Sequence, residues 1–378
     1  MRGASPQSRR EIGHWVLPWA ACRVRRRFCV CPPVGATHVL FCVADHFEPG
    51  YGEADAGVQR RRVSAWVEQF PQLASRHRDA DGMPPRHTWF FPPHYDTLDH
   101  LQRLTELCRQ GLGEIELHLH HTRMAPFPDT PDTFAWKILS AVESYGRFGV
   151  FSRDSSGRRR YAFIHGDWAL DNSRGPALCG INNELQVLAA TGCYADFTFP
   201  SLYRSQPEMV NAVFYATDDP EKPKSYDTGI EVSVGGNESG DLLIVQGPLG
   251  FRFRKKGILP RPSIEWGDLR DSASVDAGAI RFWIECGIHV RGRPDWIIVK
   301  VHTHGAWEGC RDVCLGASAD RMYSFLEEKY NDGQRYCLHY VTARELYNII
   351  KAAEAGKTGN PGHYRNFLLP APSFCTEQ

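Results

Sequence analysis

Short apolar runs alternate along the chain with longer stretches in which apolar residues recur every three or four positions. Runs of the first kind are typical of buried strands, and the longer period is typical of helices that bury one face. In the stretch 57–77, for example, Val63, Trp66, Val67 and Phe70 fall on one stripe. The pattern predicts strands over residues 37–45, 86–91, 113–121, 161–167, 193–201, 295–305 and 336–342, and helices over 57–77, 96–111, 130–146, 182–192, 318–333 and 342–356.

Capping residues support two of these helices. We expect Asp96 or Thr97 to cap the helix over 96–111, because a short polar side chain at that position accepts a hydrogen bond from the first turn. Thr342 with Glu345 has the spacing of a capping box at the start of the last helix.

A strand followed by a helix, repeated about seven or eight times, indicates a parallel sheet covered by helices. We therefore expect an α/β fold, a distorted (β/α) barrel of about seven to eight strands, with a doubly wound open sheet as the alternative. The region 218–290 is rich in glycine, proline and charge, and strand-like pieces at 241–248 and 279–290 predict an irregular β-rich insertion. The expected organisation is a disordered or mis-extended N-terminus over 1–35, a barrel domain over 36–358 and a C-terminal tail over 359–378.

Composition narrows the possible partners. Lys and Arg together number 44, as do Asp and Glu, so the formal net charge is zero. Proteins that bind nucleic acid or membrane surfaces usually carry a basic excess, and we expect neither partner. No apolar run approaches the roughly 20 residues of a membrane-spanning helix. The sequence leaves the oligomeric state open.

Cysteine usage suggests the compartment. The 12 cysteines include no CxxC pair and do not resemble a disulfide framework, so a reducing, cytoplasmic location is expected. Arg9 and Arg10 precede a short apolar stretch, and export through a twin-arginine-like N-terminus is the alternative.

Histidines and acidic residues collect where the predicted strands end. In a barrel the C-terminal ends of the strands meet at one mouth, and active sites lie there. Residues two apart on a strand share a face, so neighbouring members of these clusters point the same way. The clusters are Asp45, His46 and Glu48; His94 and Tyr95; His118, His120 and His121; His165, Asp167 and Trp168; and His302 and His304.

The third cluster predicts a metal site. His118 and His120 could supply two neutral imidazoles to one ion, with Asp45 as the expected third ligand. Two histidines and a carboxylate with an open position suit catalytic Zn, and also Fe, Co or Ni. We expect one divalent ion, with Zn foremost. His121 points off the shared face unless the strand ends before it, and an isolated His165 could simply form hydrogen bonds in the core.

The order of these segments resembles the polysaccharide deacetylase superfamily, metal-dependent hydrolases on a distorted (β/α) barrel. The resemblance covers roughly residues 37–355 with degenerate motifs. It is carried by FCVADHFEP (41–49), HTWFFPP (87–93), GEIELHLHHT (113–122), FIHGDW (163–168) or FTFPS (197–201), IIVKVHTHG (297–305) and YVTARELYNII (340–350).

The resemblance implies a ligand set. Asp45 would be the metal aspartate, and His118 matches the first metal histidine. The family's second histidine falls on Thr122, so His120 or His121 would have to replace it.

The resemblance also implies a reaction, in which an activated water removes the acyl group of an N-acylated sugar. The family's base aspartate falls on Ala44, so His46 or Glu48 would take the base role, unless this branch does different chemistry. His302 or His304 would donate a proton to the departing nitrogen.

An oligo- or polysaccharide is accordingly the expected partner. His94, Tyr95, His165, Asp167 and Trp168 are the candidate substrate-binding residues. The aromatic members could stack on sugar rings or belong to the core.

Two other functions remain open. A glycoside hydrolase would need paired carboxylates about 5–9 Å apart, such as Asp45 or Glu48 facing Asp167 or Asp196. A non-catalytic carbohydrate-binding relative would fit the loss of the family's base and second histidine.

Overall fold

In the computed structural model the described residues are 6–29, 35–95, 98–256 and 259–375. The strands are β1 Thr37–His46, β2 His87–Phe91, β3 Gly113–Leu119, β4 Ser152–Arg153, β5 Arg159–His165, β6 Cys193–Asp196, β7 Val213–Ala216, β8 Ile230–Glu231, β9 Leu242–Val245, β10 Gly250–Lys256, β11 Leu259–Glu265, β12 Trp296–Thr303 and β13 Tyr336–Tyr340. The helices are α1 Pro6–Cys29, α2 Ala56–Ala74, α3 Leu98–Arg109, α4 Pro131–Gly146, α5 Glu184–Thr191, α6 Ala277–Glu285, α7 Glu308–Leu315, α8 Ala317–Tyr330 and α9 Ala343–Glu354.

One large, mostly parallel sheet organises these elements. Its strands are hydrogen-bonded in the order β12-β1-β2-β3-β5-β6-β9-β7-β8, with β13 also beside β1 and β4 beside β5. The pairings from β12 to β9 are parallel, whereas β7 runs antiparallel to β8 and β9. The α/β class is therefore confirmed. The sheet has 11 strands, which include β8 and β9 of the region 218–290, and no pairing among the described strands joins the two ends of this order, so the barrel stays a prediction.

The residues of β1 alternate between two buried faces of the sheet. Val39 and Phe41 pack in a core cluster with Trp66 of α2. Leu40 packs on the opposite face, in a cluster that contains Leu346 of α9. Because side chains alternate along a strand and both faces are covered, β1 is apolar almost throughout.

The predicted strands and helices outside 218–290 are confirmed to within a few residues at their ends. The Thr342 side chain accepts a hydrogen bond from the Glu345 backbone N–H, and the Glu345 side chain accepts one from the Thr342 backbone N–H, which is the predicted capping box. The predicted caps Asp96 and Thr97 lie outside the described residues.

The region 218–290 is partly different from the prediction. Its piece at 241–248 is strand β9, as expected. Its piece at 279–290 was predicted as a strand and is mainly helix α6. Asp276 accepts a hydrogen bond from the Ala279 backbone and starts the helix, and Ile280 and Trp283 bury one helical face.

We expected a disordered or mis-extended N-terminus over 1–35, and the structure forms helix α1 over residues 6–29 of it. Trp15 is fully buried and stacks on Phe251 at a ring distance of 5.5 Å. Arg25 forms an ion pair of 3.0 Å with Glu231. These contacts attach α1 to the β7–β11 region. Neither α1 nor any other described helix is both long and apolar enough to cross a membrane.

A buried ion pair joins α9 to the sheet. Arg344 and Glu114 are each 1% exposed. The guanidinium donates from Nε and Nη2 to the two carboxylate oxygens at 3.0 and 2.7 Å, and its Nη1 donates to the Leu369 carbonyl at 2.7 Å. The bidentate pair therefore positions α9 and the C-terminal segment against β3.

Arg344→Met should lower the free energy of unfolding by about 3–5 kcal/mol, because Glu114 would remain as a buried carboxylate without its main partner. Urea denaturation monitored by circular dichroism measures the change. Arg335→Met is the matched control, since Arg335 is 82% exposed in its 3.5 Å pair with Asp332. Its effect should stay below about 1 kcal/mol. Equal effects of the two substitutions would contradict the role given to the buried pair.

Candidate metal centre

Several imidazoles meet on one face at the C-terminal ends of β1, β3 and β12. In the sheet, Ala44 of β1 pairs with His302 of β12. His46 of β1 pairs with Phe90 of β2, and Phe90 pairs with Glu116 of β3. Residues in register on parallel strands share a face, as do residues two apart, so His46, His118 and His302 point to the same side. The ring of His46 lies 5.1 Å from that of His118 and 6.3 Å from that of His302.

His304 extends this cluster beyond the end of β12. Its ring stacks on that of His46 at 4.8 Å with an interplanar angle of 24°. The predicted convergence of His46, His302 and His304 is therefore present. We call the place where these three histidines meet the mouth.

Glu48 and the two histidines of the HLH stretch form the group best suited to an ion. Oε1 of Glu48 lies 3.0 Å from Nε2 of His120 and 3.9 Å from Nε2 of His118. His118 uses Nδ1 to bond the Ile164 carbonyl at 2.9 Å, and His120 uses Nδ1 to bond Oδ2 of Asp167 at 2.9 Å. A histidine that donates from Nδ1 presents Nε2 as a lone pair, which is the usual arrangement of a metal ligand.

Buried nitrogens without partners point to the same conclusion. Within the described part of the chain, Nε2 of His46, Nε2 of His118 and both ring nitrogens of His302 make no hydrogen bond. Both ring nitrogens of His94 are in the same situation among those residues. Buried polar groups normally have partners, so these nitrogens require a ligand, an ion or ordered water.

The electrostatics keep most of these imidazoles neutral. Burial and the neighbouring histidines hold the pKa of His46 well below its ordinary value, and burial together with Lys300 does the same for His302. Burial lowers the pKa of His94 to about 3. Neutral imidazoles have the free lone pair that metal binding or proton acceptance needs.

Glu48, in contrast to these neutral imidazoles, is held in its charged form. Burial alone would raise its pKa, but the neighbouring imidazoles of His118 and His120 hold it well below the ordinary value. The group therefore combines an ionised carboxylate with imidazole nitrogens, a nitrogen and oxygen set typical of zinc.

Asp45, predicted as the third ligand, lies elsewhere. Its Oδ1 accepts the Gly305 backbone N–H at 2.7 Å and its Oδ2 bonds Nε2 of His87 at 2.9 Å. Asp45 is in register with Trp89, on the face that packs against α2, because its side chain alternates with that of His46. Placing Asp45 with His118 was wrong, and the carboxylate beside His118 and His120 is that of Glu48.

His121 and His165 also lie outside the cluster at the mouth. The strand ends at Leu119, and His121 begins a short 3₁₀ turn that directs its ring behind the sheet end. It stacks on Phe134 at 4.5 Å and on His165 at 4.8 Å. His121 was therefore wrongly grouped with His118 and His120, and His165 is a fully buried neighbour of His121 rather than a mouth residue.

The loop after β5 places the other predicted mouth residues. Asp167 and Trp168 both have positive φ angles, 57° and 50°, a strained conformation that recurs at functional sites. Gly166 packs so closely on His120 that an added Cβ would lie 2.3 Å from the ring. Trp168 lies 5.3 Å from the ring of His46.

On the opposite side of the mouth, His94 lies 5.7 Å from His120 and 4.2 Å from Tyr95. Both residues are half-buried. His94 and Tyr95 therefore lie beside His120, and their predicted role in substrate binding stays a prediction.

Asp79, Asp81 and His339 form another group of potential ligands, but an arginine already balances its negative charge. Asp79 and Asp81 flank His339, and Nη2 of Arg365 lies 3.1 and 3.0 Å from the two carboxylates. An arginine in this position supplies the positive charge that a metal ion would bring. We therefore assign a structural role to this group.

The chain was compared with family models, curated proteins and solved structures, and none of them matches it. The assignment of the site rests on its geometry. Buried groups of His, Glu and Cys side chains could hold a metal ion, and the group around Glu48 is one of them.

Two carboxamide substitutions separate the roles of the neighbouring acids. Glu48→Gln should remove most of the bound metal, because it removes the only carboxylate of that ligand group. Asp45→Asn should retain the metal while lowering the free energy of unfolding by about 1–3 kcal/mol, because it disturbs a buried hydrogen-bonded carboxylate. Elemental analysis and thermal denaturation of both variants measure the two effects. Loss of metal in Asp45→Asn alone would overturn the assignment.

Proposed function

We propose that this protein is a metal-dependent hydrolase in which Glu48, His118 and His120 hold one divalent ion, with zinc the first candidate. The observation that carries the proposal is the convergence of an ionised buried carboxylate with two imidazole Nε2 atoms whose Nδ1 atoms are already engaged. Three protein ligands leave room for a water or a substrate oxygen. When bound, such an ion activates water and polarises a carbonyl.

The surrounding histidines would move the protons. His46 presents an unpartnered Nε2 beside His118, which suits acceptance of a proton from the attacking water. His304 stacks on His46, and burial lowers the pKa of His304 although the charges of Glu48 and Asp45 oppose this effect. We assign to His304, or to the neighbouring His302, donation of a proton to the departing group.

The finer assignment is that of a carbohydrate deacetylase on a distorted (β/α) barrel, acting on N-acylated sugars. Exposed aromatic residues near the histidines support a sugar substrate. Tyr51 and Trp307 are 48% and 41% exposed, and their rings lie 5.8 Å apart. Tyr51 lies 6.4 Å from His304, so a sugar stacked there would reach the cluster.

A cleft on the other side of the mouth could hold further parts of a long substrate. Trp168 contacts Tyr203 at a ring distance of 5.7 Å, and the Arg174 guanidinium lies 3.8 Å above the Tyr203 ring. Arg174 lines a cleft of about 650 Å³, within the usual range for ligand sites. Its lining includes the basic residues Arg204 and Lys224 and the acidic residues Glu208 and Asp227, and Lys224 pairs with Asp227 at 2.8 Å.

The carboxylates fit this reaction better than glycoside hydrolysis. Glu48 and Asp167 both bond the ring of His120, one on each side, at 3.0 and 2.9 Å. Asp196 is bonded to the Thr198 hydroxyl at 2.7 Å. A glycosidase needs two carboxyl groups that face the substrate across an open gap.

A single assay distinguishes the candidate functions. Zinc-loaded protein incubated with N-acetylated oligosaccharides should release acetate without creating new reducing ends, and His118→Ala/His120→Ala should abolish the release. New reducing ends without acetate, unaffected by a chelator, would indicate a glycosidase instead. Binding of the oligosaccharide with neither product would indicate a non-catalytic carbohydrate-binding protein.

Metal affinity should depend on pH through His120. Burial would lower its pKa, but hydrogen bonds to Asp167 and Glu48 outweigh burial and raise it to about 9. Metal binding must release this proton, so the apparent affinity should rise about tenfold per pH unit from about pH 6 to pH 8. Competition with a chelator measures it. Asp167→Asn should flatten the dependence by lowering that pKa, and an affinity independent of pH in wild type would contradict the assignment.

A further inference from the structure

A second buried group of potential ligands lies behind the mouth. It consists of His121, His165, Cys179 and Glu184, whose donor atoms all lie within 4.8 Å of one another. All four residues are fully buried. They come from four places along the chain: the turn after β3, the end of β5, the following loop and the first residue of α5.

The two histidines are oriented as metal ligands usually are. Nδ1 of His121 faces Oδ2 of Asp129 at 2.8 Å, and Nδ1 of His165 bonds the Gly166 carbonyl at 2.5 Å. Both Nε2 atoms point at Glu184, 3.1 Å and 3.5 Å from its Oε1. A carboxylate or carbonyl behind each imidazole fixes the tautomer that offers Nε2 to an ion.

Cys179 completes the set. Its Sγ lies 3.3 Å from Oε2 of Glu184. Ligands about 2.0–2.3 Å from a zinc ion lie roughly 3.5 Å apart, so the group would need to contract by only about 1 Å at its widest. A thiolate and a carboxylate would together neutralise a divalent ion, as a fully buried site requires.

A network of ion pairs is the competing explanation. A protonated His121 could bridge Asp129 and Glu184, with Lys137 bonded to Asp129 at 2.8 Å. That arrangement is also neutral, but it leaves Nε2 of His165 without a hydrogen bond inside the described ranges. In that arrangement the Cys179 thiol would donate a hydrogen bond to Oε2 of Glu184.

We propose that His121, His165, Cys179 and Glu184 form a second metal site, which holds a zinc ion with four protein ligands and has a structural role. Four protein ligands leave no open position, unlike the group around Glu48. The ion would join the loops after β3 and β5 to the start of α5. It would thereby stabilise the segments that carry His120 and Asp167.

Cobalt provides a direct test, because only a site with a thiolate ligand gives an intense sulfur-to-cobalt charge-transfer band in the near ultraviolet. Wild-type protein freed of metal and titrated with Co²⁺ should develop this band, and elemental analysis of zinc-loaded protein should find two ions per chain. Absence of the band at saturating Co²⁺ would overturn the proposal. This measurement needs no variant, so a variant that fails to fold does not weaken it.

Variants then assign the band. Cys179→Ser should lose the band and retain the ion bound near Glu48, whereas Cys193→Ser is the matched control and should keep both. Cys193 is also buried, but its Sγ bonds only the Ala195 carbonyl, at 3.4 Å, in the part of the chain that the structure describes. A band that persists in Cys179→Ser would overturn the assignment.

The second site can be tested apart from the hydrolase. His118→Ala/His120→Ala should lose one of the two ions and keep the band. If wild type binds one ion, without the band, and this double variant loses it, the mouth site stands and the second site is an ion-pair network. If the band persists but the double variant loses no ion, the second site stands and the proposed function fails.

Discussion

The carboxylate of Asp45 connects the strand ends on which the mouth depends. It accepts hydrogen bonds from His87 on β2 and from the Gly305 backbone just after β12, and so ties both to β1. Gly305 must be glycine, because a Cβ there would lie 2.3 Å from Oδ2 of Asp45. Its carbonyl accepts the indole N–H of Trp66 at 2.8 Å, which adds α2 to the same junction. Fixed in this way, β1 and β12 direct His46 and His302 to the opposite face.

The two candidate metal groups orient their imidazoles in the same way but differ in the number of acidic side chains. In both, each imidazole engages Nδ1 with a carbonyl or a carboxylate and turns Nε2 towards a glutamate. The mouth group has one carboxylate, and a divalent ion there would keep a net positive charge that can stabilise a negative transition state. The second group has a carboxylate and a thiol, enough to balance the ion and close the site. Adjacent residues, His120 and His121, thus belong to two different groups of potential ligands.

The sequence predicts the elements well and the pairings poorly. Capping and period identify α9 and β1, and the HLH spacing correctly places His118 and His120 on one face. Because side chains alternate along a strand, the sequence also predicts that Asp45 and His46 point to opposite faces of β1. Which of these faces carries the other histidines depends on the register of β1 with its neighbours. That register is set by contacts such as Asp45 with Gly305, 260 positions apart in the chain. Glu48 was not predicted as a ligand, because it lies in the turn beyond the end of β1.

Several energetically unfavourable features lie close together at the mouth. A buried polar atom without a partner costs about 1–3 kcal/mol, and His46, His118 and His302 carry such atoms among the described residues. The left-handed Asp167 and Trp168 add strain of similar size beside them. Phenylalanine or leucine would fill these positions at lower cost if packing were the only requirement. The imidazoles are therefore better explained by a ligand that bonds their free nitrogens than by the stability of the fold.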